Sequence, residues 1–221
     1  DKEGLIATLR TVTNSIKGAV FYGSAPAATT STDLGDMVLV SSFDAGNWTG
    51  DLRAITKTSN GTWQQTVWKA SEHVPATRSV WTTTAGGQMT AYTTDTLAGD
   101  NYLCKPIGDI INSTPLVVGT PPFFYTFDDY GGFKRRFITT PRERMAYVGS
   151  NDGLLHAFRL EDGSEKWAFL PRSLHERLNL AATGETYNPC SGAYCHQPTL
   201  DGSPTVADVY ANATKKWRTM L

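Results

Sequence analysis

Three short apolar runs, separated by two turn signals, follow one another between positions 145 and 170. The runs are 145–149, 154–160 and 166–170, and the turns are Asn151-Asp152-Gly153 and Asp162-Gly163. Asn, Asp and Gly tolerate positive φ, so both turns can be tight. Strands joined by tight turns are antiparallel neighbours, because a parallel connection needs a long crossover. The pattern predicts a three-stranded antiparallel meander.

The same pattern occurs earlier in the chain. Residues 50–55 and 153–158 share the form Gly-x-Leu-x-Ala-apolar, and each copy is followed by a glycine turn and then by a tryptophan, Trp68 or Trp167. A second element, small-Ser/Thr-Pro-x-Val, recurs at 113–119 and 202–208. Repeats of several short strands favour a β-propeller over a β-sandwich with chance similarity. We therefore expect an all-β fold: a partial β-propeller of about two blades plus the start of a third, with Trp68 and Trp167 in equivalent places between neighbouring sheets.

The remaining segments complete the predicted organisation. Apolar positions with helical spacing predict a short amphipathic N-terminal helix over 1–17 that packs on the propeller. An Ala/Pro/Ser/Thr-rich stretch predicts a flexible loop over 18–35, and 36–221 form the propeller domain, truncated at its C-terminus. Further strands are expected at 37–43, 48–55, 63–68, 78–84 and 89–92, and a helix at 172–180.

Two long insertions interrupt the strand pattern. The first is rich in aromatic residues and forms the candidate binding surface: Phe123, Phe124, Tyr125, Phe127, Tyr130 and Phe133. It forms either a satellite core or a binding surface, and packing is favoured because solvated aromatic patches are costly. The second insertion spans 183–200.

That second insertion contains two of the three cysteines, Cys190 and Cys195. A disulfide between them fits an oxidising compartment. Zinc binding with the adjacent His196 is disfavoured, because Cys-x4-Cys-His lacks the paired spacing of structural zinc sites. Cys104 is either a free buried thiol or pairs with a cysteine outside this chain.

Charge and composition exclude some classes of function. The formal net charge of −1 provides no electrostatic footprint for nucleic acid. No run of 18 apolar residues exists that could form a transmembrane segment. Charged residues are sparse, at 19%, while Thr, Ser and Gly are plentiful, a balance typical of exported β-proteins.

One residue in the meander carries potential chemistry. His156 lies in a predicted strand and could act as a ligand or base, or as a structural histidine whose ring nitrogens meet backbone groups. No partner cysteine or carboxylate stands at a supporting spacing, so the structural interpretation is preferred. No nucleophile elbow, P-loop or His-Glu-x-x-His motif is present, and we predict that the chain is not an enzyme and has no catalytic, cofactor-binding or metal-ligating residues.

Several stretches resemble a known family. Residues 148–158, Val-Gly-Ser-Asn-Asp-Gly-Leu-Leu-His-Ala-Phe, followed by Gly163 and Trp167-Ala168-Phe169-Leu170-Pro171, are similar to the C-terminal propeller of the PilY1 family, also called PilC. Residues 108–115 and 201–204 resemble two further family stretches, and 48–52 resemble its opening strands. Members are type IV pilus biogenesis and tip-adhesin proteins. The resemblance implies binding to minor pilins and to a host-cell or abiotic surface receptor, and an exported location at the pilus tip, the outer-membrane surface or the periplasm of a bacterium.

The resemblance also implies calcium, because the family has a calcium loop in its propeller. No stretch here matches the D-x-[DN]-x-[DN]-G pattern of such loops, so that site is expected beyond Leu221 and no cofactor is expected in these residues. Two alternatives share the repeat. One is a quinoprotein-type enzyme, although Arg159 stands where that repeat has Asp. The other is the propeller scaffold of an outer-membrane assembly machine.

Overall fold

The computed structural model describes residue 6 and residues 20–22, 37–46, 48–92, 107–121, 123–175 and 198–221. Apart from residue 6, the predicted helix over 1–17 lies outside the described residues, as do all three cysteines and most of the insertion at 183–200. Of the loop predicted over 18–35, only residues 20–22 are described, and they form a strand. Within the described residues the chain is mostly β-sheet, with one α-helix and no closed barrel.

The first sheet is an antiparallel meander in sequence order. Its strands are β1 (Val20–Tyr22), β2 (Met37–Asp44), β3 (Thr49–Lys57) and β4 (Trp63–Lys69). A turn at Gly61 with φ of +83° joins β3 to β4. The strands expected at 37–43, 48–55 and 63–68 are confirmed to within two residues at each end.

The second sheet contains the meander that the sequence predicts, with one addition. Strands β7 (Leu116–Val118), β8 (Met145–Gly149), β9 (Leu155–Arg159) and β10 (Glu165–Phe169) pair antiparallel in that order. A hairpin of β5 (Val80–Thr83) and β6 (Met89–Ala91) extends the sheet beyond β10. Strand β5 pairs parallel to β10, a placement that local strand signals do not specify.

The third sheet and the helical segments are short. Strands β11 (Ala207–Ala211) and β12 (Lys216–Met220) form an antiparallel pair. The helix α1 (Tyr130–Thr139) lies between β7 and β8 in the chain. Single 3-10 turns occupy Ala70–Glu72 and Arg172–Leu174. The second of these covers the start of the helix expected at 172–180, whose last five residues are outside the described part.

The main core lies where the first sheet packs on the second. Its buried side chains come from β2, β3 and β4 on one side and from β7, β8 and β9 on the other: Leu39, Leu52, Ala54, Trp68, Val117, Ala146, Val148 and Phe158. Trp68 is only 4% exposed, and its indole nitrogen donates a 2.8 Å hydrogen bond to the carbonyl of Leu160 in the β9–β10 connection. Burying a tryptophan side chain this completely contributes roughly 2–3 kcal/mol.

The two repeated tryptophans occupy the same register. Trp68 on β4 pairs with Ala54 on β3, and Trp167 on β10 pairs with Ala157 on β9. Both alanines are fully buried. The two tryptophans therefore share a strand register, but the predicted burial between neighbouring sheets holds only for Trp68. Trp167 is half-buried, with its ring 5.7 Å from that of Tyr147.

The segment 107–115 connects all three sheets. Gly108 forms an isolated bridge with Thr49 at the start of β3. The side chain of Asn151, in the β8–β9 turn, donates a 2.8 Å hydrogen bond to Asp109. The amide of Thr114 donates a 2.9 Å bond to the hydroxyl of Ser203, so the two copies of the Ser/Thr-Pro element lie side by side.

Helix α1 was not predicted, because its sequence carries two glycines near its start. Asp129 adopts a left-handed conformation with φ of +52° and caps the helix by accepting a 3.0 Å hydrogen bond from the Gly132 amide. A Cβ on Gly132 would collide with that capping carboxylate, so a side chain there would displace the cap, and glycine suits this position despite its low helix propensity. The cap and the inward aromatic residues compensate for the weak propensity.

Candidate functional site

The aromatic insertion forms a small core against the third sheet. Tyr130 and Phe133, on the inward side of α1, are 2% and 6% exposed and pack with Trp217 of β12. Tyr125 stacks on the Trp217 ring at 5.1 Å with an interplanar angle of 9°. Aromatic pairs at such distances add about 0.5–1.5 kcal/mol beyond their buried area. The insertion therefore joins the second sheet to the third.

Hydrogen bonds hold the polar ends of this core. The Trp217 indole nitrogen donates a 2.8 Å bond to the carbonyl of Asp128, and the Tyr130 hydroxyl donates a 2.5 Å bond to Asp208 on β11. Burial and the neighbouring Asp208 carboxylate raise the pKa of Tyr130 well above its ordinary value. Tyr130 therefore remains a neutral donor at any physiological pH.

The six aromatic residues of the candidate binding surface divide by burial. Tyr130 and Phe133 are interior residues, so the surface role expected of them is corrected. Phe123 is half-buried against the small core. Phe124, Tyr125 and Phe127 are exposed by 87%, 36% and 52%. One side of the segment thus forms a core and the other side leaves aromatic rings exposed, while the role of those rings in binding stays a prediction.

A second cluster surrounds His156, where the sequence suggested no partner. The ring atom Nδ1 lies 2.7 Å from Glu165 Oε1, and Nε2 lies 3.1 Å from Asp152 Oδ2. Arg78 lies 2.5 Å from Glu165 Oε1. The expectation that the ring nitrogens meet backbone groups is wrong, because two carboxylates hold them.

The cluster is a buried arrangement of two positive and two negative groups. His156 is 0% exposed, and Asp152 and Glu165 are each 7% exposed. Burial alone would raise the pKa of Asp152, but the charges of His156 and Arg78 hold it well below its usual range. Burial would also raise the pKa of Glu165, but hydrogen bonds from His156 and Arg78 lower it. Burial would lower the pKa of His156, but Asp152 and Glu165 raise it above its ordinary 6.5. The charged forms therefore stabilise one another.

Ser150, His156 and Glu165 contact one another in the order of the serine, histidine and carboxylate of a hydrolytic triad. The Ser150 hydroxyl lies 2.9 Å from His156 Nε2, and Glu165 holds Nδ1 on the other side of the ring. Ser150 also donates a hydrogen bond to Asp152. The Asp152 carboxylate itself contacts His156 Nε2, so it competes with the Ser150 hydroxyl for that nitrogen. Ser150 and His156 are both 0% exposed, so no substrate carbonyl can approach the hydroxyl. Catalysis by such a triad needs an accessible nucleophile beside an oxyanion hole, and this cluster instead fixes the β8–β9 turn.

The partners of His156 were missed for identifiable reasons. Arg78 and Glu165 are separated by 87 positions, so local spacing contains no signal for their contact. An irregularity in β10 between Glu165 and Trp167 shifts the register, so strict alternation places Glu165 wrongly. The sequence predicts Asp152 as a turn residue, and it does stabilise the turn, since its carboxylate accepts the Leu154 amide at 3.0 Å. Its position four residues before His156 was the available signal.

Other predicted sites are not covered by this geometry. Cys104, Cys190 and Cys195 lie outside the described residues, so the disulfide stays a prediction. Among the residues that the structure describes, no group of three or more His, Cys, Asp or Glu side chains is placed to hold a metal ion. In the same part of the chain, none of the helices has the length and apolar character needed to cross a bilayer.

Comparison with known proteins gives several relatives of one kind. No protein-family model matches the chain, and no solved structure matches it. A type IV pilus biogenesis factor PilY1 from Pseudomonas aeruginosa strain UCBPP-PA14 is 30% identical in an alignment 227 residues long, which covers 79% of this chain and 19% of that protein. A PilY1 homolog from Xylella fastidiosa strain Temecula1 is 31% identical in an alignment 256 residues long, which covers 100% of this chain and 20% of that protein.

A shorter match is closer in sequence. The PilY1 of Pseudomonas aeruginosa strain PAK is 37% identical over 131 residues, which cover 55% of this chain and 10% of that protein. The chain thus spans about a fifth of the length of the first two relatives. Since these relatives carry the same name and one of them aligns along the whole chain, the chain belongs to the PilY1 family of type IV pilus biogenesis factors.

Proposed function

We propose that this chain is part of a type IV pilus-associated protein that promotes pilus assembly and mediates adhesion from the pilus tip. The observation that carries the proposal is the alignment of a PilY1 homolog along 100% of the chain at 31% identity. Residues 148–158, which carry the family resemblance, form the buried centre of the second sheet. The resemblance therefore rests on residues that hold the fold together.

We further propose a β-propeller scaffold, with β1–β4 and β7–β10 as two blades and β11–β12 as the start of a third. Both four-stranded units run in sequence order and are antiparallel. Trp68 and Trp167 occupy the same register against Ala54 and Ala157. These features support successive blades, because radial repetition places equivalent residues at equivalent blade contacts.

Binding rather than catalysis is the proposed mode of action. The titratable residues around His156 are sealed from solvent and paired within the fold. The exposed aromatics of the first insertion offer large contact area at low entropic cost. Their partners would be minor pilins of the pilus tip and a host-cell or abiotic surface receptor. The insertion at 183–200 would supply a second surface.

The proposed location is outside the cytoplasm, at the pilus tip, the outer-membrane surface or the periplasm. A calcium site like that implied by the family resemblance is proposed for a segment beyond Leu221. No described residue is assigned to it.

The experiment uses the full-length pilus protein in its own bacterium. Deleting the whole aromatic insertion would remove Tyr130 and Phe133 from a core, so a single exposed substitution, Phe127→Ser, tests the surface instead. We expect weaker co-purification of minor pilins or weaker adhesion, with normal protein levels. The matched control is Val67→Ser on β4, since Val67 is 48% exposed and lies on a different sheet.

Two results would contradict the proposal. Unchanged pilin binding, adhesion and piliation in the Phe127→Ser variant would exclude Phe127 from the binding surface. A purified protein that retains a quinone chromophore and oxidises alcohols or sugars would replace the binding role with an enzymatic one.

A further inference from the structure

One outward surface of α1 combines exposed apolar and basic side chains. Phe124, just before the helix, is 87% exposed, and Ile138 near its end is 71% exposed. Lys134 and Arg135 lie between them along the helix, and Lys134 and Ile138 are one turn apart, which places them on the same side. We call Phe124, Lys134, Arg135 and Ile138 the basic apolar patch.

The contacts within the patch hold the exposed ring and a cation together. The Lys134 ammonium lies 3.7 Å from the centre of the Phe124 ring and donates a 3.1 Å hydrogen bond to the carbonyl of Phe123. Arg135 is 72% exposed in its side chain and contacts Asp129 at 3.6 Å. A surface ion pair of that kind is weak, so the guanidinium remains available to a stronger anionic partner.

The charge of the patch is concentrated. Lys134 and Arg135 are adjacent cations, and each lies within one turn of Ile138, on a chain whose formal net charge is −1. Arg136 is not part of the patch, because its guanidinium lies over the ring of the inward Phe133. This local positive charge is therefore not a general property of the protein surface. The complementary partner is anionic.

The shape of the patch decides the kind of partner. The opposite side of α1 is anchored by Tyr130 and Phe133 in the small core, so the helix cannot turn its apolar residues inward. Phe124 and Ile138 consequently protrude. A protein partner would need a pocket for each protruding side chain, whereas a bilayer interface accepts apolar groups without a preformed cavity and attracts flanking cations to anionic headgroups.

We propose that the basic apolar patch docks this protein on an anionic lipid surface, with Phe124 and Ile138 entering the interface and Lys134 and Arg135 binding headgroups. The proposal rests on the adhesive function proposed above and names the chemistry of one surface to which the protein adheres. Docking is peripheral and reversible, because two apolar side chains provide little buried area.

The test is co-sedimentation of the full chain with vesicles of phosphatidylcholine and phosphatidylglycerol. Binding should exceed that to phosphatidylcholine alone and should fall as salt is added, because exposed charges are screened. Phe124→Ser should weaken binding by about tenfold. Arg135→Gln should weaken it by about fivefold.

Matched controls separate the patch from general effects. Met89→Ser removes an apolar side chain that is 59% exposed on β6, and Lys216→Gln removes an exposed cation on β12. Both should bind vesicles as the unsubstituted chain does. All substituted side chains are at the surface, so unchanged circular dichroism and thermal midpoints are expected throughout.

Three outcomes would overturn the lipid proposal: no vesicle binding, equal binding to both lipid mixtures, or equal losses in patch and control variants. Co-purification of minor pilins is measured in parallel. If pilin binding persists while vesicle binding fails, the proposed function stands and the lipid surface is wrong. If the patch variants lose pilin binding instead, the patch serves an acidic protein partner.

Discussion

Gly163 lies directly against the indole of Trp68, and a Cβ added to it would be 2.6 Å from the ring. Gly163 is in the β9–β10 turn of the second sheet, and Trp68 is on β4 of the first. The residue that allows the turn is therefore also the residue that leaves room for the neighbouring sheet. The glycine and the tryptophan recur in both copies of the repeat, which makes this contact a candidate for the general junction between units.

Gly163→Ala should destabilise the protein through two effects. The φ of +73° strains any residue with a Cβ, and the added methyl group collides with Trp68. The combined cost should be about 2–4 kcal/mol in urea unfolding. Gly61→Ala is the control, because Gly61 has φ of +83° but nothing within 4 Å of an added Cβ. Equal losses in the two variants would show that the Trp68 contact contributes nothing.

Arg78→Met should be strongly destabilising. It removes one of the two cations that hold the buried Glu165 carboxylate, and breaking a buried pair from one side typically costs about 3–5 kcal/mol. The control is Arg144→Met, which breaks the 2.8 Å pair of Arg144 with Glu161 at partly exposed positions and should cost less than about 1 kcal/mol. A loss for Arg78→Met no larger than that of the control would contradict the structural role of the cluster.

The cluster should give the protein a stability optimum in mildly acidic solution. The pKa of His156 is raised above 6.5, so its stabilisation is complete below pH 6.5 and declines as pH rises through the folded-state pKa. The pKa values of Asp152 and Glu165 are lowered from 3.8 and 4.5, so their stabilisation is complete above those values and declines as pH falls through the folded-state pKa. The contribution of the cluster is therefore complete between about pH 4.5 and 6.5.

Urea unfolding of the unsubstituted chain and of His156→Gln across the neutral-to-alkaline range checks this. The substituted chain should be less stable at pH 6, and the difference between the two should shrink as pH rises. His73→Gln, at an exposed position, is the control and should leave the pH profile unchanged. A difference that is constant with pH would show that His156 is not charged in the folded protein.

The disulfide between Cys190 and Cys195 remains a prediction from spacing. A loop this short should stabilise by less than the roughly 3 kcal/mol expected for a 15-residue loop. Mass spectrometry of peptides from native, non-reduced protein should find the two cysteines linked. Two alkylatable thiols in protein taken from its own compartment would exclude the bond.

The sequence predicts strand positions well where turns are local and tight. The β8–β10 meander and the hairpin at Gly61 follow from alternation and from glycines at positive φ. The parallel pairing of β5 with β10 could not be predicted, because it joins segments about 90 residues apart that carry no complementary local pattern. Helix α1 could not be predicted, because its two glycines lower the helix propensity of a segment whose helix is stabilised by tertiary packing.

The candidate site could be predicted only in part, because it also depends on contacts between segments that are distant in the sequence. A run of neighbouring aromatic residues indicates either a small core or a binding surface. Which rings point inward is decided by how the segment packs in the fold. Tyr130 and Phe133 turn inward because α1 packs on Trp217, a residue more than 80 positions away. The carboxylates around His156 depend on a register irregularity in β10, which a two-residue period does not encode.

The hairpin of β5 and β6 also has a consequence for how the protein behaves in concentrated solution. Unpaired edge strands offer free amides and carbonyls to neighbouring molecules and promote aggregation. Along β10 those groups are already occupied, since Ala168 and Leu170 donate 2.9 Å and 2.8 Å hydrogen bonds to Ser79 and Trp81. The hairpin therefore leaves the three-residue β6 as the edge on that side of the second sheet, and so short an edge limits intermolecular strand addition.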